Sequence, residues 1–218
     1  MTPPDPGPIL AMWAGGIVAG VAVVVWWQIV KTGFVLLGLG VAVLIGAAAA
    51  AAGSGLLAWG AVVLAGAAYF FRKERRAALP LGLAAVLWVI AGVSNGGPLA
   101  AITGAVALGG VTAEMLLGHW YLVDPRLPRW ALRRLALAGL AGVVVDAVVV
   151  LTSAPADPFL SPAVLVALAV TSAILLVGVL FSIRVPSYTG VMAATGLSYL
   201  AVLTSLGSVV LGRAVIGG

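Results

Sequence analysis

Two carboxylates stand out because of what surrounds them. Glu114 lies in the stretch Gly109-Gly110-Val111-Thr112-Ala113-Glu114-Met115-Leu116-Leu117-Gly118-His119-Trp120-Tyr121, and Asp146 lies in the apolar run from Leu135 to Leu151. An ionised side chain in the middle of hydrocarbon costs ~2.5 to 3.5 kcal/mol even on the lenient insertion scale, so an acid there needs a partner or keeps its proton. A carboxylic acid that can exchange its proton is the raw material of a relay; one that is only hydrogen-bonded is packing material. On a helix turning ~100° per residue, Gly110 and Gly118 lie one turn to either side of Glu114 and Tyr121 lies two turns on, so the acid shares a narrow face with a phenol and is expected to point into a bundle. Asp146 has Gly142 and Gly139 one and two turns before it.

Counted at ~1.5 Å per residue from Val123 and from Leu135, Glu114 is ~13 Å and Asp146 ~16 Å from the same boundary. On consecutive antiparallel helices the two carboxylates are therefore expected in one pocket. His119, the single histidine, stands near its mouth with Trp120 and Tyr121. A histidine, a tyrosine and an acid at an interface suit hydrogen bonding to a quinone carbonyl and exchange of its protons. Glu114, His119, Tyr121 and Asp146 are thus the candidates for a quinone or proton path. His119 is ~140° from Glu114, so a bend at Gly118 is required to bring it in. The competing reading makes His119, Trp120 and Tyr121 interfacial anchors. No cysteine is present, which removes thiolate metal sites, iron–sulfur ligation and thiol nucleophiles. One histidine cannot supply a bis-histidine haem, and Glu114, Asp146 and His119 lack recognisable metal-ligand spacing, so neither a metal nor a covalently bound cofactor is expected.

The elements that must position these groups follow from composition. Of 218 residues, 63% are hydrophobic and 8% charged, and the mean hydropathy is +1.25. Such a chain is expected to be an all-α integral membrane protein forming one polytopic domain, with too little chain between apolar runs for a folded catalytic domain or a nucleic-acid reader. Proline, glycine and charge divide it into eight expected transmembrane helices over 9–30, 33–52, 55–71, 78–93, 99–123, 135–151, 163–183 and 189–211. Lys31, the cluster Arg72-Lys73-Glu74-Arg75-Arg76, the cluster Arg126, Arg129, Arg133 and Arg134, and Arg184 fall in alternate connections, leaving only Arg213 on the other side. By the positive-inside rule those connections are cytoplasmic and both termini extracytoplasmic. Trp26, Trp27, Tyr69, Phe70, Phe71, Trp120, Tyr121, Trp130 and Tyr188 are expected at the inner interface and Trp13, Trp59 and Phe159 at the outer one; Trp88 fits neither. The basic balance is read as topology and contact with anionic lipid rather than nucleic acid. Trp120, Arg126, Arg129, Arg133 and Arg134 are the candidates for lipid or partner-subunit contact.

Three functions are compatible with this pattern. One is a membrane-embedded subunit of a bacterial respiratory or redox complex in the cytoplasmic membrane, anchoring partner subunits and shaping a quinone or proton site without a redox centre of its own. A small proton-coupled transporter using Glu114 or Asp146 as carrier is the alternative. The third, a structural or lipid-binding protein, is the default if both acids are dispensable.

Overall fold

The computed structural model describes residues 5–71, 75–153 and 162–217. Arg72, Lys73 and Glu74 of the first basic cluster lie outside the described residues, as do residues 154–161 with Phe159. Eight α-helices make up the fold: α1 (Pro6–Trp27), α2 (Thr32–Ala51), α3 (Gly55–Ala68), α4 (Ala78–Ala91), α5 (Gly97–Tyr121), α6 (Arg129–Ser153), α7 (Pro162–Arg184) and α8 (Tyr188–Gly217). No strand occurs among the described residues. Six helices, all but α3 and α4, are long and apolar enough to cross a membrane. α3 and α4 have 14 residues each, and each is extended by a 3-10 turn of 3 residues at the α3–α4 connection. At ~1.5 Å and ~2 Å per residue respectively, each reaches ~27 Å, close to the ~30 Å of a bilayer core.

Local signals explain the ends. Asp5 accepts a hydrogen bond from Gly7 N at 3.0 Å and caps α1, whose first residue is proline. α1 stops at Gln28, which takes the left-handed conformation (φ 55°) and donates its side-chain amide to Val25 O at 2.7 Å. Gly53 and Gly55, both at positive φ, turn α2 into α3, and Gly96 and Gly97 do the same before α5. Two boundaries differ in a way that matters. α6 begins at Arg129, directly after Pro128, and so runs six residues earlier than its apolar core. α8 continues to Gly217 and carries Arg213 inside the helix instead of beyond it.

The helices run antiparallel in sequence, so connections alternate between the two ends of the bundle. At one end Trp27 meets Trp130 edge-on, Phe34 meets Trp120, Arg75 stacks on Trp26, and Lys31 lies 3.9 Å from Asp124. At the other, Asn95 donates to Asp5 O at 2.9 Å, Gly7 approaches Ala52 and Ser54, and Gly96 abuts Ile216. Both termini therefore share one end and the described basic connections share the other. Two tryptophans lie inside the bundle, Trp13 against the expectation of an outer-interface position and Trp88 in keeping with its fitting neither interface. Trp13 turns inward and donates to Thr112 Oγ1 at 2.9 Å. Trp88 is fully buried, its ring filling the space over Gly46.

α1–α4 and α5–α8 each form a ring in which the first helix packs on the second and fourth, and the third closes the ring; the rings meet chiefly where α1 lies on α5. That contact is backbone on backbone. A Cβ on Gly16 would strike Ala105 O and Gly109 Cα, and a Cβ on Gly20 would strike the Ala113 methyl. On the adjacent face of α5, a Cβ on Gly110 would lie 2.8 Å from Gly139 Cα, and one on Gly142 2.6 Å from Ala107 N. The outer faces carry Leu44, Leu56, Val63, Phe70 and Leu203, each at least 66% exposed, which is a surface suited to lipid and not to water.

The cysteine-free sequence allows clean single-cysteine scanning. Arg75→Cys, Arg126→Cys and Ser187→Cys are expected to react with an impermeant maleimide from one side of the membrane, and Ser94→Cys and Ser153→Cys from the other. Labelling of both sets from the same side would overturn the arrangement of ends.

Candidate functional site

Glu114 is fully buried between α5 and α8. Ser198 of α8 donates to Glu114 Oε2, and the same hydroxyl lies 2.8 Å from Ala194 O. A serine hydroxyl has one hydrogen, so it can serve only one of these acceptors at a time. Turned to the carboxylate it satisfies an ionised acid; turned to Ala194 O it leaves its own oxygen to accept from a protonated one. The site thus has a hydrogen-bond pattern ready for either state. Glu114 Oε1 is buried and has no hydrogen-bond partner among the described residues. It faces the space over Gly118, where an added Cβ would lie 3.8 Å from it and 2.7 Å from Thr195 Oγ1. The sequence reading of an inward-facing acid beside glycines agrees with this placement.

Asp146 sits elsewhere. Its carboxylate receives Thr103 Oγ1 at 2.6 Å and Arg213 Nη2 at 2.6 Å, and Arg213 Nη2 also donates to Ala100 O at 2.6 Å. Arg213 is 0% exposed and Asp146 3%. The guanidinium fits because residue 104 is glycine: a Cβ there would collide with Nη2. This ion pair ties α6 and α8 to the start of α5.

The expected common pocket of the two acids does not form. Gly110 lies against Gly139, Ala107 against Gly142 and Thr103 against Asp146, so Asp146 is level with Thr103. Glu114 is eleven residues farther along α5, or ~16 Å down its axis. Asp146 lies deeper than its distance from Leu135 implies, because α6 starts at Arg129. His119 is also separate. α5 stays helical through Gly118 to Tyr121, which turns His119 to the exposed side, where its Nδ1 lies 3.2 Å from Tyr199 Oη. Tyr121 is buried among apolar side chains with Phe34 and Leu127.

The basic residues divide by role. Arg129 donates to the carbonyls of Ile183, Val185, Pro186 and Ser187, and so ties the α7–α8 connection to the start of α6. Arg126 pairs with Asp124 at 3.4 Å, and Arg133 is exposed. Arg134 stacks on Trp130 at 4.8 Å, while Trp120 packs edge-on against Phe34. Among the described residues no group of three His, Asp or Glu could hold a metal ion.

From beside Gly118 toward the Asp146–Arg213 pair, α8 presents Thr195, Ser198, Ser205 and Ser208 to the interior, all buried, and among the described residues the Ser205 hydroxyl has no hydrogen-bond partner. Their spacing of three, seven and three residues is one helical face, a signal readable from the sequence but not drawn from it. Arg213 and Ser198, the side chains that partner the two acids, are not marked by the apolar pattern of the sequence. The run Ala214-Val215-Ile216 after Arg213 was the available hint that the helix continues past the charge. The arrangement can hold a proton at Glu114 and fix a buried charge pair at Asp146. No family model, no curated protein and no solved structure matches this chain.

Removing one member of a buried ion pair costs ~3 to 5 kcal/mol, because the other charge is left unpaired, whereas replacing both with apolar groups is often neutral. Asp146→Leu should therefore lower the thermal midpoint in mild detergent sharply, and Asp146→Leu combined with Arg213→Met should recover most of the loss. A double variant no more stable than Asp146→Leu alone would contradict this assignment.

Proposed function

We propose that the chain is a multi-pass protein of a bacterial cytoplasmic membrane that serves as the embedded subunit of a respiratory or redox complex, with Glu114 handling protons for that complex. Support for a membrane setting comes from six helices of spanning length and the apolar outer faces. The basic end would then be cytoplasmic. The observation that carries the proton role is the Glu114–Ser198 pair, which offers bonding partners to the acid in both protonation states while Oε1 remains open toward Thr195 and Gly118. From Glu114 to the end of α5 at Tyr121 is seven residues, so a proton entering at the basic end has ~10 Å to travel. A partner subunit is part of the reading because the described connections are short and a chain with no cysteine and one histidine has too few ligands for a redox centre of its own. A quinone held jointly by Glu114, His119, Tyr121 and Asp146 is not part of it, since these side chains do not converge.

A small proton-coupled carrier is the second reading, favoured by the buried serine face of α8 between Glu114 and the Asp146–Arg213 pair. Glu114→Gln keeps the shape and a partner for Ser198, so it should fold and assemble normally. Loss of a proton-exchanging group typically costs ~100-fold or more in the step it serves. The test is native purification in mild detergent, with co-purifying subunits identified and proton uptake measured for wild type and Glu114→Gln. Wild-type uptake in a normally assembled Glu114→Gln complex would sink the proton role. Proton movement by the chain alone in vesicles would favour the carrier.

A further inference from the structure

A cleft of about 600 Å³ opens on the outer surface where α1 lies recessed between α4 on one side and α5 and α6 on the other. Its floor is Gly16, Ala19 and Gly20, and its walls include Val86, Val106 and Ala138. Ala19, Val86, Val106 and Ala138 are all exposed, so the cleft is reached from outside the bundle. It exists because the floor carries almost no side chains: the same small residues that let α1 touch α5 leave a trough beside the contact.

The cleft is apolar along its length and cationic at one end. Along α1 it runs from Gly15 to Trp27, twelve residues or ~18 Å, comparable to one leaflet, half of a ~30 Å core. At the Trp27 end stands Arg134, the one charged residue among the described residues that line it. Its guanidinium lies over the Trp130 and Trp27 rings at 4.8 and 6.0 Å and donates no hydrogen bond to any described residue. Stacking fixes the plane of the guanidinium and leaves its N–H donors open, the condition for bidentate binding of a phosphate. Arg75, over the neighbouring Trp26, adds positive charge at the same end of α1. A whole transmembrane helix, ~10 Å wide and ~30 Å long, occupies on the order of 2,000 Å³ and crosses both leaflets, so the cleft is too short and too narrow to house one.

We propose that this cleft is a binding site for an anionic phospholipid of the basic-end leaflet, with one acyl chain along α1 and the phosphate on Arg134. The inference rests on the membrane reading but not on the proton role of Glu114. The test is native mass spectrometry of the full chain in detergent with an equimolar mixture of phosphatidylglycerol and phosphatidylcholine bearing identical chains. One phosphatidylglycerol per chain should be retained in preference to phosphatidylcholine. Arg134→Gln should reduce that preference about fivefold, the scale of a single basic side chain at an anionic surface. Ala138→Leu and Ala19→Leu, each placing bulk in the open cleft from an exposed position, should lower retention of both lipids with Arg134 intact. Equal retention of the two lipids by the wild type overturns the proposal. So does undiminished phosphatidylglycerol binding in a folded Ala138→Leu or Ala19→Leu chain, or displacement of the lipid by added ubiquinone at equal concentration. A normal thermal midpoint in at least one filling variant shows that lost binding is not lost folding.

Discussion

The backbone of α5 is held against two helices at once, and most of the structure follows from that. Gly109 touches α1 and Gly110 touches α6, so consecutive residues on adjacent faces serve two different partners without a side chain between them. In hydrocarbon there is little hydrophobic drive for one apolar helix to join another; close van der Waals packing must hold them, and it is strongest where backbones meet. Two such contacts on one helix leave it little freedom to slide. The α5–α6 register set at Gly110 and Gly139 carries up the pair to Gly142 and Ala107, then to Thr103 and Asp146.

The polar groups are placed by this register and, in turn, constrain it. Asp146 needs a cation, and Arg213 reaches it only because Gly104 leaves room and because α8 lies beside α5 along its whole length. A slip of one residue would leave either charge alone in a buried site. Glu114 is treated differently: no cation approaches it in the described structure, and its one side-chain bond is to a hydroxyl that can reverse direction. One acid is therefore committed to an ion pair and the other is left adaptable. The difference between an acid paired with a cation and one paired with a hydroxyl arises from which residue of α8 each acid faces.

Small residues have a second consequence on the outer surface. Glycine and alanine along α1 permit the approach to α5, but they also leave a furrow that neighbouring helices do not fill. At its end Trp27 and Trp130 meet and hold Arg134 between them. The aromatic residues thus orient the cation.

Composition and pattern alone determined the helical class, the number of helices, the alternation of basic connections and the inward direction of Glu114, because each depends on period and polarity within one segment. Helix ends were legible to within a few residues at the paired glycines Gly53 and Gly55, and Gly96 and Gly97, whereas the starts of α1 after Asp5 and of α6 after Pro128 lie earlier than the apolar runs indicate. What no single segment contains is relative depth. Glu114 and Asp146 look level when each is counted from its own apolar run, but α6 starts at Arg129 because its first turn is amphipathic, and that shifts Asp146 by six residues. Arg213 resembles a terminal charge in the sequence. Only the packing of α5, α6 and α8 supplies the carboxylate, the carbonyl and the vacancy at Gly104 that make burying it affordable, since the free energy of an ion in a dry interior is decided by its partners in space and not by its neighbours in the chain.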